Sequence, residues 1–398
     1  MRRIDLKRIQ TAHFSTMRAI NRQIVLNYVR DRGPISRAEI ARQTALQRST
    51  ISEIVDSLLE EGLVEEIGAG RSTGGRCPTL LGLRSIGAAA IGIDIAPTRT
   101  TVAASNLAGL VLESEEFETD HDFEKTVTRA VSAARRLIEK SPGTIEGIGV
   151  SIPGLVDPST GHLLYVPYFN WRDLDVAPRI AAATGVEVVI DNDANAAALA
   201  ELWFGQSEVS EARDFIMVFI AEGVGTGIIF DRQVYRGEFG AAGEFGHMII
   251  GERAPVPCSC GSWECWEAFA SGRAAVARYT RLTGAGEGAL HLSFAELIDR
   301  ALEGETAARA SLRETARYLG IGISNLIIGF SPEIVVVGGA ITRAWDLVSD
   351  LFSDTVRRSI RRDLPTARIT RSTIGDQASL MGALGLVLAN KFASVAAI

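Results

Sequence analysis

Apolar positions recur at helical spacing through the first sixty residues and shift toward strand spacing afterwards. In "STMRAINRQIVLNYVRDRG" Ile20, Ile24 and Tyr28 share one face, and Gly33-Pro34 ends the pattern. "SRAEIARQT" opens with Ser36 and carries Glu39 three residues on, the spacing of a capping box. "RSTISEIVDSLLEEG" gathers Ile51, Ile54, Val55, Leu58 and Leu59 and stops at Gly62. "LVEEIG" and "CPTLLGL" read as two strands around "AGRSTGGR", a glycine-rich basic loop. Three helices and a hairpin in this order predict a winged helix-turn-helix domain over residues 1–85.

From Ala88 the texture changes. "AAAIGIDIAPTRTTVAASNLAGLVLESEEF" predicts three short strands with tight turns, followed by a helix over Phe123–Lys140 and the strand "IEGIGVSI". A second series starts with "VEVVIDNDANAAALAELWFG", strand into helix, and continues with the strands "DFIMVFIAEG" and "GTGIIF". A long helix near 307–329, the strand "EIVVVGGAI" and more helix close it. Strand runs answered twice by helices predict an α/β body of two related subdomains over residues 86–398. Ligands of such bodies sit in the crevice between the halves, at the carboxyl ends of strands.

A length of 398 residues exceeds one ordinary core, and 46% hydrophobic with 22% charged residues is globular composition. The start, "MRRIDLKRIQTAHFS", lacks a continuous apolar run, and no stretch holds eighteen unbroken apolar residues. Neither a secretory signal nor a membrane span is expected, which places the chain in the cytoplasm. The net charge of −7 hides an asymmetry: residues 1–85 hold 14 Lys and Arg against 9 Asp and Glu, and the remainder holds 27 against 39. A basic front on an acidic body points to a polyanion partner for the front alone.

In a winged helix-turn-helix the second helix of the motif enters the major groove. Its first turn offers Gln47, Arg48, Ser49, Thr50 and Ser52, side chains that hydrogen-bond base edges or phosphates. Arg71 and Arg76 flank the wing and reach for phosphate or the minor groove. Operator DNA is the expected partner, read as a pseudo-palindrome by a homodimer or a dimer of dimers.

The body's motifs are less decisive taken singly. Gly223, Gly225 and Gly227 in "EGVGTGI" suit either a phosphate cradle or a tight turn, and Gly338-Gly339 in "VVVGGAI" are similar. "GVSIPG" has Pro153 where a nucleophile elbow needs glycine, which excludes a serine hydrolase of that type. In "DNDANAAALAE" Asn192 and Asp193 stand between a strand and an alanine-rich helix. Asp193 is there either a base for a bound hydroxyl or a helix cap.

Taken together, "SIPG", "YVPYFNW", "DNDANAAALAE", "GVGTG", "GEFGH" and "CSCGSWECWE" resemble the ROK family of repressors, open reading frames and kinases. The resemblance covers nearly the whole chain and implies an actin-like, ribonuclease-H-type sugar-kinase body. "GRSTGGRCP" is similar to the wing of the family's repressor branch; its kinases usually lack the front domain.

Three of the four cysteines fall within "GHMIIGERAPVPCSCGSWECWE". Cys258 and Cys260, one residue apart, make a poor disulfide, and neither a C-x-x-C redox pair nor a deaminase signature is present. His247, Cys258, Cys260 and Cys265 compose a closed Cys₃His set, which suits one structural zinc and leaves no open position for catalytic water. The family resemblance implies the same. It further implies that Gly154, Asn192, Asp193, Glu244, His247 and Glu267 bind sugar hydroxyls; Asn170 is a further expected contact. His247 would bind metal through one ring nitrogen and a hydroxyl through the other.

Kinases of the family carry a D-x-G-G-T loop, and this chain has "DIAPT". Asp94 and Thr98 remain, but Ala96 and Pro97 replace the paired glycines, adding two Cβ atoms and removing an amide donor. The expected function is a sugar-responsive transcriptional repressor of carbohydrate-metabolism genes, with ATP handling damaged by this loop but not abolished. Two alternatives stay open: a sugar kinase with an attached DNA module, and a repressor controlled by a partner protein. Only the kinase alternative calls for Mg-ATP, on Asp94, Thr98, Gly223, Gly225, Thr226, Gly227, Gly338 and Gly339.

Overall fold

The first helix, α1 (Phe14–Arg32), buries Val25, Leu26 and Val29, whereas Ile20, Ile24 and Tyr28, the face expected from the sequence, are only half-buried. It opens a computed structural model that describes residues 14–71, 77–84, 88–141, 143–284, 292–360 and 366–392. After a two-residue strand, β1 (Ile35–Ser36), come α2 (Arg37–Thr44), α3 (Arg48–Glu60) and the hairpin β2 (Val64–Ala69), β3 (Thr79–Leu83), in the sheet order β1-β3-β2. The capping box of α2 is only half made. Ser36 accepts from the Glu39 amide at 3.2 Å, but the Glu39 carboxylate turns to Arg42 and Gln43, donors one turn ahead. Arg76 lies outside the described residues.

The winged domain does not close its own core. Leu107, Leu388 and Phe392 of the body are buried in the same apolar cluster as Leu26, Ile51 and Leu81. The expected boundary near residue 85 therefore cuts a shared core, although residues 85–87 themselves lie outside the described residues.

The body starts with β4 (Ala88–Ile95), β5 (Arg99–Asn106) and β6 (Val111–Glu118), then α4 (Phe123–Lys140) and β7 (Thr144–Ile152). A small sheet of β8 (Leu155–Asp157), β9 (His162–Val166) and β10 (Trp171–Asp175) precedes α5 (Val176–Thr184) and β11 (Val188–Asn192). Next follow α6 (Asp193–Phe204) and the single turn α7 (Ser207–Ser210). The second half repeats the plan with β12 (Phe215–Ile220), β13 (Val224–Phe230) and β14 (Gln233–Val234). The helices α8 (Trp266–Ala270), α9 (Gly272–Thr283), α10 (Phe294–Leu302) and α11 (Thr306–Phe330) come between β14 and β15 (Ile334–Gly339). α12 (Trp345–Ser359), β16 (Arg368–Arg371) and α13 (Ala378–Phe392) finish the chain.

Both large sheets share one order, β6-β5-β4-β7-β11 and β14-β13-β12-β15-β16, antiparallel in the first three strands and parallel in the rest. This is the ribonuclease-H-type arrangement, made twice. β12 and β15 are buried at every residue, which explains their unbroken apolar runs. β6 is an edge, and its Glu113, Glu115 and Glu116 pair with Lys140, Arg136 and Arg99, a charged rim that blunts further strand pairing.

The halves exchange their last helices. α6 follows the first sheet yet packs on β12 and β13, and α13 follows the second sheet yet packs on β4 and β7. The two helices also pack on each other so closely that a Cβ at Gly382 would collide with the Ala196 backbone. The alanine run of α6 permits this approach. No described helix is long and apolar enough to cross a membrane.

Candidate functional site

The chain from Met248 to Trp266 folds back on itself as an irregular arm. Ile250 and Ala254 amides donate to Glu264 and Trp263 carbonyls at 3.0 Å, and the Cys258 amide reaches the Ser262 carbonyl at 2.7 Å. Gly261, at φ +91°, makes the turn at the tip. Trp266, fully buried and donating from Nε1 to the Tyr318 carbonyl at 2.9 Å, anchors the arm to α11.

This fold brings the four expected ligands together. The donor atoms of His247, Cys258, Cys260 and Cys265 all lie within 4.8 Å of one another. His247 Nδ1 stands 3.2 Å from Cys258 Sγ, and Cys260 Sγ stands 3.6 Å from Cys265 Sγ. Zinc–sulfur bonds of roughly 2.3 Å in a tetrahedron set sulfurs about 3.8 Å apart, so the cluster has metal dimensions. Burial pushes the Cys265 thiol up to about 12, so a thiolate there needs a cation beside it.

A cleft opens beside the cluster, between the two sheets. Gly154, Asn192 and Asp193 line it from the first half; Glu244, His247 and Glu267 line it from the second. His247 turns Nδ1 to the cysteines and Nε2 toward Glu244 at 3.6 Å, so its two nitrogens face two different sites. Asn192 caps α6, its Oδ1 accepting from the Ala194 amide at 2.8 Å, and donates from Nδ2 to the Gly154 carbonyl at 3.0 Å. Burial raises the Asp193 carboxyl to about 7, and the nearby Asp94 charge adds to the effect. Partial desolvation at the cleft mouth likewise raises Glu244. A carboxyl near its titration point, as at Asp193, can give or take hydrogen bonds with hydroxyls.

One expectation changes. Asn170 is exposed and outside the cleft lining: its amide closes a turn onto the Pro167 carbonyl, at φ +54°, and this turn presents Pro167 and Tyr168 to the cleft instead. Glu267 lines the cleft and is also tied to the arm. Its Oε1 accepts from the Cys258 thiol at 3.3 Å, the Ser259 amide at 3.0 Å and Arg273 at 3.1 Å. That carboxylate joins the arm to the cleft wall.

The motifs assigned to nucleotide are divided by the cleft lining, although Gly225 and Gly338 flank Phe219 on neighbouring strands. Gly223, Gly225 and Thr226 line the cleft, whereas Gly227, Gly338, Gly339 and Thr98 are outside its lining. A Cβ at Gly225 would stand 2.7 Å from the Ala194 Cβ, and one at Gly227 would collide with the Ala194 carbonyl, so α6 already requires these glycines. The Asp94 carboxyl accepts from Ser379 at 2.9 Å and is raised by burial to about 6. In the turn after it the Ala96 amide is bonded to the Arg99 carbonyl at 3.0 Å, and Pro97, with no amide proton, forms part of the cleft wall.

One tie has no local signature in the sequence. Arg236 donates from Nε to the buried Asp191 carboxylate at 2.7 Å, holding the loop after β14 to the strand end that carries Asn192.

On the winged domain Gln47, Arg48, Ser49 and Arg71 are exposed, and Thr50 and Ser52 half-buried, at the start of α3 and of the wing loop. The N-terminus of α3 adds the positive end of its dipole. Other arginines of the domain have structural partners: Arg22 pairs with Glu61, and Arg37 with Asp56 at 3.0 Å and Glu66 at 3.5 Å.

Comparison with known proteins places both parts. The ROK family matches residues 90–390, and the MarR family residues 24–72. A xylose repressor of Caldicellulosiruptor bescii is 32% identical over 388 residues, 94% of this chain and 96% of its own. The crystal structure of a ROK family transcriptional regulator, a homolog of the E. coli MLC protein, covers 95% of this chain and 98% of its own at TM-score 0.78 and 26% identity. A ROK family glucokinase from Streptomyces griseus, solved with glucose and AMPPNP, covers 75% of this chain and 98% of its own at TM-score 0.68 and 31% identity.

Proposed function

The chain belongs to the ROK family, and on that premise we propose that it is a transcriptional repressor whose operator affinity is set by a monosaccharide in the cleft. One combination carries the reading: a winged domain with Arg48 exposed at the start of α3, joined to a hydroxyl-binding cleft whose first phosphate turn is closed by Pro97. Asn192 and Asp193 approach the sugar from one half, and Glu244 and His247 from the other. The relative named a xylose repressor supports a sugar as effector.

The metal we assign to His247 Nδ1, Cys258, Cys260 and Cys265 is zinc, one per chain. A Cys₃His set leaves zinc no open position, so its contribution is structural. It would fix the His247 ring with Nε2 toward the cleft and hold the arm whose Ser259 amide donates to Glu267. Phosphoryl transfer is disfavoured because the turn after Asp94 offers neither an Ala96 nor a Pro97 amide to a phosphate. A homodimer would read a pseudo-palindrome with half-sites about one helical turn, roughly 34–36 Å, or a multiple apart.

Selection of bound duplexes from a random pool, followed by titration of the best duplex with and without D-xylose, D-glucose or N-acetyl-D-glucosamine, tests the reading. A specific duplex whose affinity changes with one of the sugars is the expected result. Failure to enrich any duplex overturns the DNA half, and a duplex indifferent to every sugar overturns the effector half.

A further inference from the structure

Beside the apolar core that it shares with the body, the winged domain lays one guanidinium over two aromatic rings of the body. Arg30, on α1, stands 4.2 Å from the centroid of the Trp203 ring and 5.1 Å from that of Phe392. Those rings are 5.7 Å apart. One turn earlier on α1, Asn27 donates from Nδ2 to the Phe392 carbonyl at 3.2 Å. Trp203 lies in the last turn of α6 and Phe392 ends α13.

The opposite end of α6 is at the cleft, and that of α13 is at Asp94, three residues before Pro97 of the cleft wall. α6 begins at Asp193, and α13 begins beside Ser379, which donates to Asp94 at 2.9 Å. The pair therefore spans the body from the ligand cleft to the winged domain, about 18 Å along α6 and 22 Å along α13 at 1.5 Å per residue. The contact of Gly382 with the Ala196 backbone leaves no space for one helix to slide past the other without repacking. A displacement imposed on Asp193 is thus delivered at Trp203.

We propose that α6 and α13 act as one strut between the cleft and the winged domain, with Arg30 as its coupling residue. The inference rests on the reading of the cleft as an effector site and adds the path by which that site is heard. Arg30 is a positioning residue: α1 packs on α3, and the angle at which α3 is presented depends on where the two rings hold Arg30. A cation over ring faces is sensitive to their placement, because the attraction follows the ring quadrupole. A small displacement of Trp203 relative to Phe392 is enough to reseat α1.

The test uses the full chain, wild type, Arg30→Ala and Phe392→Leu, and the selected duplex with and without saturating D-xylose. In the wild type the sugar should change duplex affinity within the range typical of coupled sites, roughly 5–150-fold. In both variants the ratio should fall to within about twofold of unity while each protein still binds duplex and sugar separately. A variant ratio equal to that of the wild type overturns the strut. So does an Arg30→Ala protein that binds no duplex at all, since Arg30 would then belong to the DNA-reading surface. If the wild type ignores D-xylose, D-glucose and N-acetyl-D-glucosamine alike, the effector reading fails, and amide exchange decides the strut separately. Arg30→Ala should then speed exchange at least tenfold over residues 27–32 and in the last turn of α13. Unchanged protection there overturns it.

Discussion

The Glu267 carboxylate accepts from the Ser259 amide at 3.0 Å, so the arm that carries the cysteine cluster and the cleft share a wall. Metal loss should therefore be felt by ligand. One tightly held zinc per chain is expected, and Cys260→Ser should lose it together with thermal stability and sugar affinity, because structural metal binding is coupled to folding. Elemental analysis, a melting curve and a sugar titration on the same preparation check this. A wild type purified without zinc refutes the assignment.

Glu244 gives the cleaner probe of the cleft. It is half exposed and, unlike Glu267, holds no part of the arm. Glu244→Ala should weaken sugar binding by roughly 10–100-fold, the worth of one charged hydrogen bond of about 1.5–3 kcal/mol, and leave sugar-free operator binding unchanged. Calorimetric titration supplies the first number and a duplex titration the second. Unaltered sugar affinity would move the site elsewhere.

Arg48 and Arg37 should behave as opposites. Arg48→Ala should weaken operator binding and, if it contacts phosphate, flatten the salt dependence by about 0.9 in log–log slope. Arg37 pairs with Asp56 and Glu66, so Arg37→Ala should lower the melting temperature slightly and leave that slope alone. Binding measured from low to moderate salt separates them; equal slopes for wild type and Arg48→Ala remove Arg48 from the phosphates. Deleting residues 1–85 is a poor substitute, since it would expose Leu107, Leu388 and Phe392.

Phosphoryl transfer should be absent or slight. Supplied with Mg-ATP and a sugar that binds, the protein should turn over well below the 1–100 per second, roughly, of working kinases. A coupled assay for ADP reads this directly, and a rate inside that range would restore the kinase alternative.

Glu201 should make stability depend on pH. It is fully buried in α6, and burial raises its carboxyl from 4.5 to about 7. The folded state therefore keeps a proton that the unfolded chain releases above about 4.5, and stability from this group falls as pH rises from there through about 7. Glu201→Gln carries no such penalty. It should gain on the order of 3 kcal/mol on wild type between pH 4 and pH 8, since each tenfold difference in proton affinity between the two states is worth about 1.4 kcal/mol. Denaturant unfolding at both pH values checks it; a difference that does not vary with pH places the charge elsewhere.

What the sequence determined by itself was whatever is encoded over short distances. The helix over Phe123–Lys140 follows from its apolar period, and the buried strands β12 and β15 from their unbroken runs. The cysteine cluster was legible because His247 and Cys265 lie within nineteen residues of each other, within reach of one local arm. Local spacing failed where a polar group had competing partners nearby: Glu39 left its capping box for Arg42 and Gln43, and the turn at Asn170 gave the cleft Tyr168 instead. Tertiary structure alone decided the rest. Arg236 finds Asp191 across 45 residues, and Ser379 finds Asp94 across 285. The exchange of α6 and α13 between the sheets and the core shared with the winged domain are also long-range. An apolar stripe specifies that a face must be buried, because water rejects it, but it carries no label for the surface that will cover it. That choice is made by shape, and here the glycine at 382 and the alanines of α6 let two helix backbones meet where bulkier side chains would have kept them apart.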